Sequence, residues 1–111
     1  MFIKNIPHET VTELSKEIAV MPGMVVSKTL AQNDAVSLTL FAFAKGEEIS
    51  THESTGDAMV TVLEGVGRLT IGGVEHICKA GETIVMPAKI PHAVYAVEDF
   101  KMFLTVIFPS K

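Results

Sequence analysis

Histidine is the residue type in this chain with the widest chemical use, because imidazole both ligates metals and exchanges a proton near neutral pH. The chain has four, His8, His52, His76 and His92. His8 follows a proline in the N-terminal segment, and His76 lies within a predicted strand in a pattern typical of a solvated face. His52 and His92 each lie at the edge of a predicted strand, beside a turn that contains glycine or proline. These two are therefore the candidates for metal binding or acid–base chemistry.

Other arrangements of reactive residues are weakly supported. Ser54 and Asp57 could be combined with either candidate histidine as a Ser–His–Asp set, but no nucleophile elbow surrounds the serine. The glycines at 65, 67, 72 and 73 do not precede a helix, so they are turn residues rather than a phosphate-binding loop. Cys78 lies on a predicted strand and is interpreted as a core residue rather than a reactive thiol.

From residue 25 onward, short apolar runs alternate with turn-forming residues. The predicted strands are Val25–Leu30, Ala35–Ala44, Ile49–His52, Asp57–Glu64, Arg68–Ile71, Val74–Lys79, Thr83–Met86, His92–Val97 and Phe100–Phe108. The pair Gly72-Gly73 suits a two-residue hairpin, which needs positive φ. Many short strands at this spacing indicate an antiparallel sandwich or barrel, and the absence of alternating helices excludes a parallel α/β sheet.

One helix signal precedes the strands. Thr10 and Glu13 have the form of a capping box, and apolar residues follow at helical spacing, so we predict one short helix, roughly Thr10–Val20. A length of 111 residues indicates a single domain. Within it we expect residues 1–24 to form an N-terminal segment with this helix and residues 25–111 to form the barrel.

Charge and hydropathy exclude several classes of partner. Nine Lys and Arg against 13 Asp and Glu give a net charge of −4, and no basic run exists, so we expect no nucleic-acid partner. The longest uncharged stretches, Ile18–Ser27 and Ala35–Ala44, are too short to span a bilayer, so we expect no membrane association. The start of the chain lacks a secretory signal and the chain has one cysteine, which together indicate a cytoplasmic protein.

The hydropathy pattern also bears on assembly. Ala35–Ala44 and Lys101–Phe108 are apolar on both faces, and a strand of that kind is covered on both sides. The simplest outer cover for a small barrel is a second subunit. We therefore expect a homodimer.

Two stretches of the chain resemble the conserved motifs of the cupin superfamily. The first motif, G-x5-H-x-H-x3,4-E-x6-G, matches at Gly46, His52 and Gly65. The second, G-x5-P-x-G-x2-H-x3-N, matches at Gly81, Pro87 and His92. The segment between the motifs, Val66–Ala80, has the short length of small single-domain cupins.

This resemblance implies an all-β chain folded as a cupin-type double-stranded β-helix, or jelly-roll barrel, and usually dimeric. It also implies a metal in the barrel mouth, held by three histidines and a glutamate. Here Ser54 replaces the second histidine and Ala58 replaces the glutamate, so His52 and His92 remain as ligands. Asp57 is the tentative third ligand, although it needs a β-bulge to point inward.

Two functions follow from these residues. In the first, the protein is an enzyme in which a divalent metal (Fe, Mn, Ni or Zn) on His52 and His92 polarises a small oxygenated metabolite. In the second, the barrel is a metal-free sensor or carrier of a small molecule, since Ser54 and Ala58 are small and widen the pocket. The fold does not choose between them, nor among cupin activities.

Overall fold

In a computed structural model of the protein, the structure describes residues 2–110. The strands in this range are β1 (Val25–Gln32), β2 (Val36–Phe43), β3 (Glu48–His52), β4 (Asp57–Glu64), β5 (Val66–Ile71), β6 (Val74–Lys79), β7 (Thr83–Met86), β8 (His92–Ala96) and β9 (Phe100–Ile107). Each lies within two residues of a predicted strand at both ends. The prediction of an all-β chain is therefore confirmed.

The strands form two antiparallel sheets, as expected for a jelly roll. One sheet has five strands in the order β1-β2-β9-β4-β7, and the other has four in the order β3-β8-β5-β6. Strands distant in sequence pair within each sheet, and the chain crosses between the sheets several times. The β5–β6 connection is the predicted hairpin, in which Gly72 and Gly73 have φ values of 55° and 82°. The jelly-roll fold that the motifs implied is confirmed.

The main core lies between the two sheets. Alternate residues of each strand point inward, so that Val60 and Val62 of β4 are fully buried, as is Leu69 of β5. Phe43 and Phe100 are also fully buried, and their ring centroids lie 5.0 Å apart. Burial of one such ring contributes about 1.5–3 kcal/mol to the free energy of unfolding.

A second apolar cluster covers the outer face of the five-stranded sheet. Leu40 and Ala42 of β2 point outward yet are fully buried, because Ile18 and its neighbours in the N-terminal segment pack over them. The apolar pattern on both faces of β2 led us to expect a second subunit as the cover of this face. The chain itself supplies that cover.

The N-terminal segment reaches this position with far less helix than predicted. The expected helix over Thr10–Val20 is reduced to a 3-10 turn at Leu14–Lys16, and the Thr10 hydroxyl donates to the His8 carbonyl instead of capping. A helix this short is marginal without tertiary support. Here the tertiary contacts favour a non-helical backbone. The ammonium groups of Lys28 and Lys101, which lie on the sheet, donate hydrogen bonds to carbonyls of this segment at 2.9 and 2.6 Å. No helix among the described residues is both long and apolar enough to cross a membrane.

Candidate functional site

The structure brings His52 and His92 into direct contact. They are cross-strand partners at the end of β3 and the start of β8. Their Nε2 atoms lie 3.1 Å apart, and their ring centroids are separated by 4.2 Å with an interplanar angle of 71°. Forty residues apart in the chain, the two imidazoles form one paired group at the mouth of the barrel.

A β-bulge in β3 makes this contact possible. Ile49 pairs with Val94 and His52 with His92, so three steps along β3 correspond to two steps along β8. In a regular strand His52 would point to the face opposite Ile49, because side chains alternate. The extra residue reverses this alternation and turns the His52 ring toward the interior.

Backbone carbonyls fix the orientation and tautomer of both rings. The Nδ1 of His52 lies 2.9 Å from the Ser50 carbonyl oxygen, and the Nδ1 of His92 lies 3.1 Å from that of Ile90. A carbonyl oxygen can only accept a hydrogen bond, so Nδ1 carries the hydrogen in each ring. When both rings are neutral, each Nε2 atom keeps a lone pair, and two such atoms 3.1 Å apart repel each other. A proton or a metal cation between them removes this repulsion.

Burial keeps His92 in the form that binds metals. The side chain is 3% exposed, and its removal from water lowers the pKa of His92. The hydrogen bond to the Ile90 carbonyl and the negative charge of Glu53 oppose this shift, whereas the neighbouring His52 adds to it. The neutral imidazole, which is the ligand form, therefore predominates at neutral pH.

The histidine pair opens into a cavity of about 280 Å³ between the two sheets. Four of the lining residues are polar, and these are His52, Glu53, Ser54 and His92. The remaining lining residues are apolar and come from both sheets: Phe41, Ile49, Ala58, Met86, Val94, Met102, Leu104 and Val106. An apolar cavity with a few convergent polar groups is the usual form of a small-molecule site.

The residues at the two departures from the cupin motif both line this cavity. Ala58 is 2% exposed and points inward from β4. The Ser54 hydroxyl lies in the β3–β4 loop and accepts a hydrogen bond from the Gly56 N–H at 3.1 Å. Both side chains are small, so the space that a histidine and a glutamate would fill belongs to the cavity.

Asp57, our tentative third ligand, does not reach the site. It pairs with Ile107 in regular register beside the Ala58–Val106 pair, so the bulge that would turn it inward is absent. Its side chain is directed to the outer face, where the carboxylate accepts a hydrogen bond from the Ala88 N–H at 2.8 Å. Strand alternation thus separates Asp57 from the two histidines and gives it a structural role in the β7–β8 turn.

The donor set available to a metal is accordingly a pair of imidazoles. Within residues 2–110, no group of three or more His, Cys, Asp or Glu side chains is placed to hold a metal ion. Two nitrogens 3.1 Å apart can nevertheless both ligate one cation, since at bond lengths of about 2.1 Å they subtend about 95°. The pair fits a cation that takes its remaining ligands from water or from a bound small molecule.

Lys89 contributes a feature of the site that the sequence reasoning missed. It lies in the β7–β8 turn with φ of 64°, a left-handed conformation that is uncommon for residues other than glycine. Its N–H donates to the Ser54 carbonyl at 2.8 Å and so ties this turn to the loop at the cavity mouth. The sequence signal was the position between two prolines, Pro87 and Pro91, where the chain must turn sharply.

Comparisons with known proteins agree with this architecture. A family model described as "Cupin domain" matches residues 39–108. A conserved protein of unknown function from Streptococcus pyogenes is 44% identical, with a TM-score of 0.97, over 100% of this chain and 97% of its own. A cupin superfamily protein from Desulfitobacterium hafniense is 31% identical, with a TM-score of 0.92, over 96% of this chain and 98% of its own.

A third solved structure covers a smaller part of its own protein. A cupin 2 conserved barrel domain protein from Leptotrichia buccalis is 40% identical, with a TM-score of 0.81, over 84% of this chain and 45% of its own. No curated protein matches this chain.

Proposed function

The chain belongs to the cupin domain family, and from this premise we propose that it binds one divalent metal ion (Fe, Mn, Ni or Zn) at His52 and His92 and acts on a small oxygenated metabolite in the cavity. The observation that carries the proposal is the pair of Nε2 atoms facing each other at 3.1 Å, with both Nδ1 atoms engaged by backbone carbonyls. Such outer hydrogen bonds orient metal-binding imidazoles and raise their basicity.

The protein's own groups prepare the site in three ways. The carbonyls of Ser50 and Ile90 hold both rings in the tautomer that presents Nε2. Burial keeps His92 neutral, so a cation does not compete with a tightly held proton on that ring. The apolar walls exclude water from the bound metabolite, which strengthens its polar contacts at the mouth.

A bound metal would act as a Lewis acid that polarises an oxygen of the metabolite. Two protein ligands are fewer than the three of most catalytic sites, so more positions are open to exogenous oxygen ligands. Ser54, as a small polar residue at the mouth, leaves room for a ligand that occupies two positions at once.

Metal stoichiometry tests the proposal. Protein purified without an affinity tag is dialysed against Zn²⁺ or Mn²⁺, and its metal content is measured by elemental analysis. We expect close to one equivalent in the wild type and less than about a tenth of that in His52→Ala and His92→Ala.

His76→Ala is the matched control, since His76 is exposed on β6 and does not line the cavity. It should retain the wild-type equivalent. Substoichiometric metal in the wild type, or equal metal content in His52→Ala, contradicts the proposal.

The alternative function is a metal-free barrel that senses or carries a small molecule. It is favoured by the two small residues, Ser54 and Ala58, that widen the cavity at positions where the motif has ligands. Ligand-induced thermal stabilisation that is unchanged by a chelator would support this alternative over the metal site.

A further inference from the structure

We infer that the metabolite is an apolar monocarboxylate of about ten non-hydrogen atoms, bound with its carboxylate at the histidine pair and its apolar body inside the barrel. The inference rests on the proposed function, because the carboxylate takes the metal positions that the protein leaves open. It goes beyond that function in assigning the size, charge and orientation of the ligand. Three observations carry it.

The first observation is the volume of the cavity. An engineered apolar cavity of about 150 Å³ binds benzene, which has six non-hydrogen atoms. The cavity here measures about 280 Å³ and on the same scale accommodates about ten to eleven such atoms. A ligand of this size fills the space between the sheets, whereas a two- or three-carbon acid leaves most of the apolar wall without contacts.

The second observation is the separation of polar and apolar lining. The polar residues lie together at the mouth, in the segment His52–Ser54 and at His92. The inward-facing side chains farther along β9, Met102 and Leu104, offer no hydrogen-bonding group beyond a thioether. A second polar group on the ligand would be buried there without a hydrogen-bond partner, which is unfavourable. The polar end of the ligand is thus single and lies at the mouth.

The third observation is the charge balance. None of the residues that line the cavity is Lys or Arg, and Glu53 is the one carboxylate among them. With two neutral imidazoles, a divalent ion and Glu53, the site carries a net charge of +1. One ligand carboxylate neutralises it, whereas a dicarboxylate adds a second negative charge beside Glu53 and an ammonium group is repelled. A second charge on the part of the ligand inside the apolar cavity would be buried without a partner, which is strongly unfavourable, so the site selects a monoanion.

Thermal shift on the zinc-loaded protein tests the inference with defined probes. These are the straight-chain carboxylates from acetate to decanoate, the matching primary alcohols, amines and α,ω-dicarboxylates. Octanoate has ten non-hydrogen atoms, so we expect the largest stabilisation near this length. A probe at ten times its Kd should raise the melting temperature by about 6 °C. The alcohols, amines and dicarboxylates of the same length should each raise it by less than about 1 °C.

Two variants move the preferred length in opposite directions, which a general loss of stability would not do. Ala58→Val fills part of the cavity and should shift the optimum to shorter acids. Leu104→Ala enlarges the cavity and should shift it to longer ones. Met59→Ala is the control, because Met59 follows Ala58 on β4 but points outward and does not line the cavity, so its optimum should not move.

Metal content measured on the same samples separates the two proposals. If zinc binds stoichiometrically but alcohols or dicarboxylates stabilise as well as monocarboxylates, the ligand assignment is overturned and the metal site stands. An optimum that does not move in either cavity variant also overturns the assignment. If the wild type binds neither Zn²⁺ nor Mn²⁺, the proposed function fails, and the ligand assignment fails with it.

Discussion

At the scale of single residues, the environment of His92 decides the chemistry of the site. This histidine is buried beside the His52 ring, and its Nδ1 is hydrogen-bonded to the Ile90 backbone carbonyl. Burial disfavours the imidazolium form and lowers the pKa of His92 from its ordinary value of 6.5. The site therefore combines a buried neutral ring, His92, with a more exposed ring, His52. A bound ligand can contact the exposed ring.

The lowered pKa predicts how stability depends on pH. The unfolded chain takes up a proton on His92 near pH 6.5, whereas the folded chain does so only at lower pH. The neutral His92 ring thus makes its full contribution to the free energy of unfolding above pH 6.5. This contribution is lost as the pH falls from 6.5 toward the pKa of His92 in the folded chain. Chemical denaturation of the wild type, with a chelator present, should show a lower free energy of unfolding at pH 5.5 than at pH 7.5.

The comparison with His92→Gln isolates this contribution from the other titrating groups. Glutamine is polar and uncharged at both pH values, so the difference in unfolding free energy between pH 7.5 and 5.5 should be smaller in the variant. An equal pH dependence in the two proteins would show that His92 is not the group responsible.

At the scale of secondary-structure elements, the irregular pieces shape the site more than the regular strands do. The bulge in β3 turns His52 inward, whereas the regular register of β4 keeps Asp57 outside. The β7–β8 turn holds Lys89 in the left-handed region and ties the loop through Ser54 to the cavity mouth.

Relief of the strain at Lys89 is predicted to stabilise the fold. A residue other than glycine in the left-handed conformation lowers the free energy of unfolding by about 1–2 kcal/mol. Glycine removes this penalty, but its greater entropy in the unfolded chain offsets about 0.5–1 kcal/mol of the gain. Lys89→Gly should therefore increase the free energy of unfolding by about 0.5–1 kcal/mol, measured by chemical denaturation.

The matched control is Lys45→Gly, in an exposed turn whose residue does not have positive φ. This variant should lose stability, because glycine there only adds entropy to the unfolded chain. If both glycine variants change stability in the same direction, the left-handed conformation of Lys89 is not what the measurement reports.

At the scale of the whole molecule, the N-terminal segment completes a second core on the outside of the barrel. Ile18 is 7% exposed and packs with Leu30, Leu40 and Ala42. Two lysines on the sheet, Lys28 and Lys101, attach the segment through its carbonyls. The segment is thus a structural part of the barrel, although it has little regular structure of its own.

Truncation of Ile18 tests this role. Ile18→Ala removes a buried side chain and should lower the free energy of unfolding by about 2–4 kcal/mol. Val11→Ala, in the same segment but at a fully exposed position, should change it by less than about 0.5 kcal/mol. A small effect of Ile18→Ala would mean that the barrel is stable without its outer cover.

The expected homodimer remains a prediction at this scale. Met59 of β4 and Val85 of the edge strand β7 are cross-strand partners on the outer face, and they are 41% and 50% exposed. Apolar groups at an unpaired sheet edge favour contact with another chain. Sedimentation equilibrium should give twice the chain mass, and Val85→Lys should reduce it toward the monomer. Val74→Lys, at an exposed position of the other sheet, should leave the assembly unchanged.

Much of the fold could be predicted from the sequence, because the signals that define strands and turns are local. Alternating apolar residues specify the strands, and pairs such as Gly72-Gly73 specify the hairpins, independently of the rest of the chain. The spacing of the cupin-like motifs also predicted the jelly-roll topology and identified His52 and His92 as the candidate histidines. The helix was the exception, since its capping signal at Thr10 and Glu13 was local but the carbonyls of that segment found partners on the sheet.

The geometry of the site depended on contacts between distant parts of the chain. The sequence alone identified His52 and His92 as the candidate pair and showed small residues, Ser54 and Ala58, at two ligand positions of the motif. Only the tertiary structure decided that the β3 bulge turns His52 inward, that Asp57 points outward, and that the N-terminal segment covers β2. The physical reason is that a one-residue shift in strand pairing reverses which face a side chain occupies, and that shift is set by the partner strand.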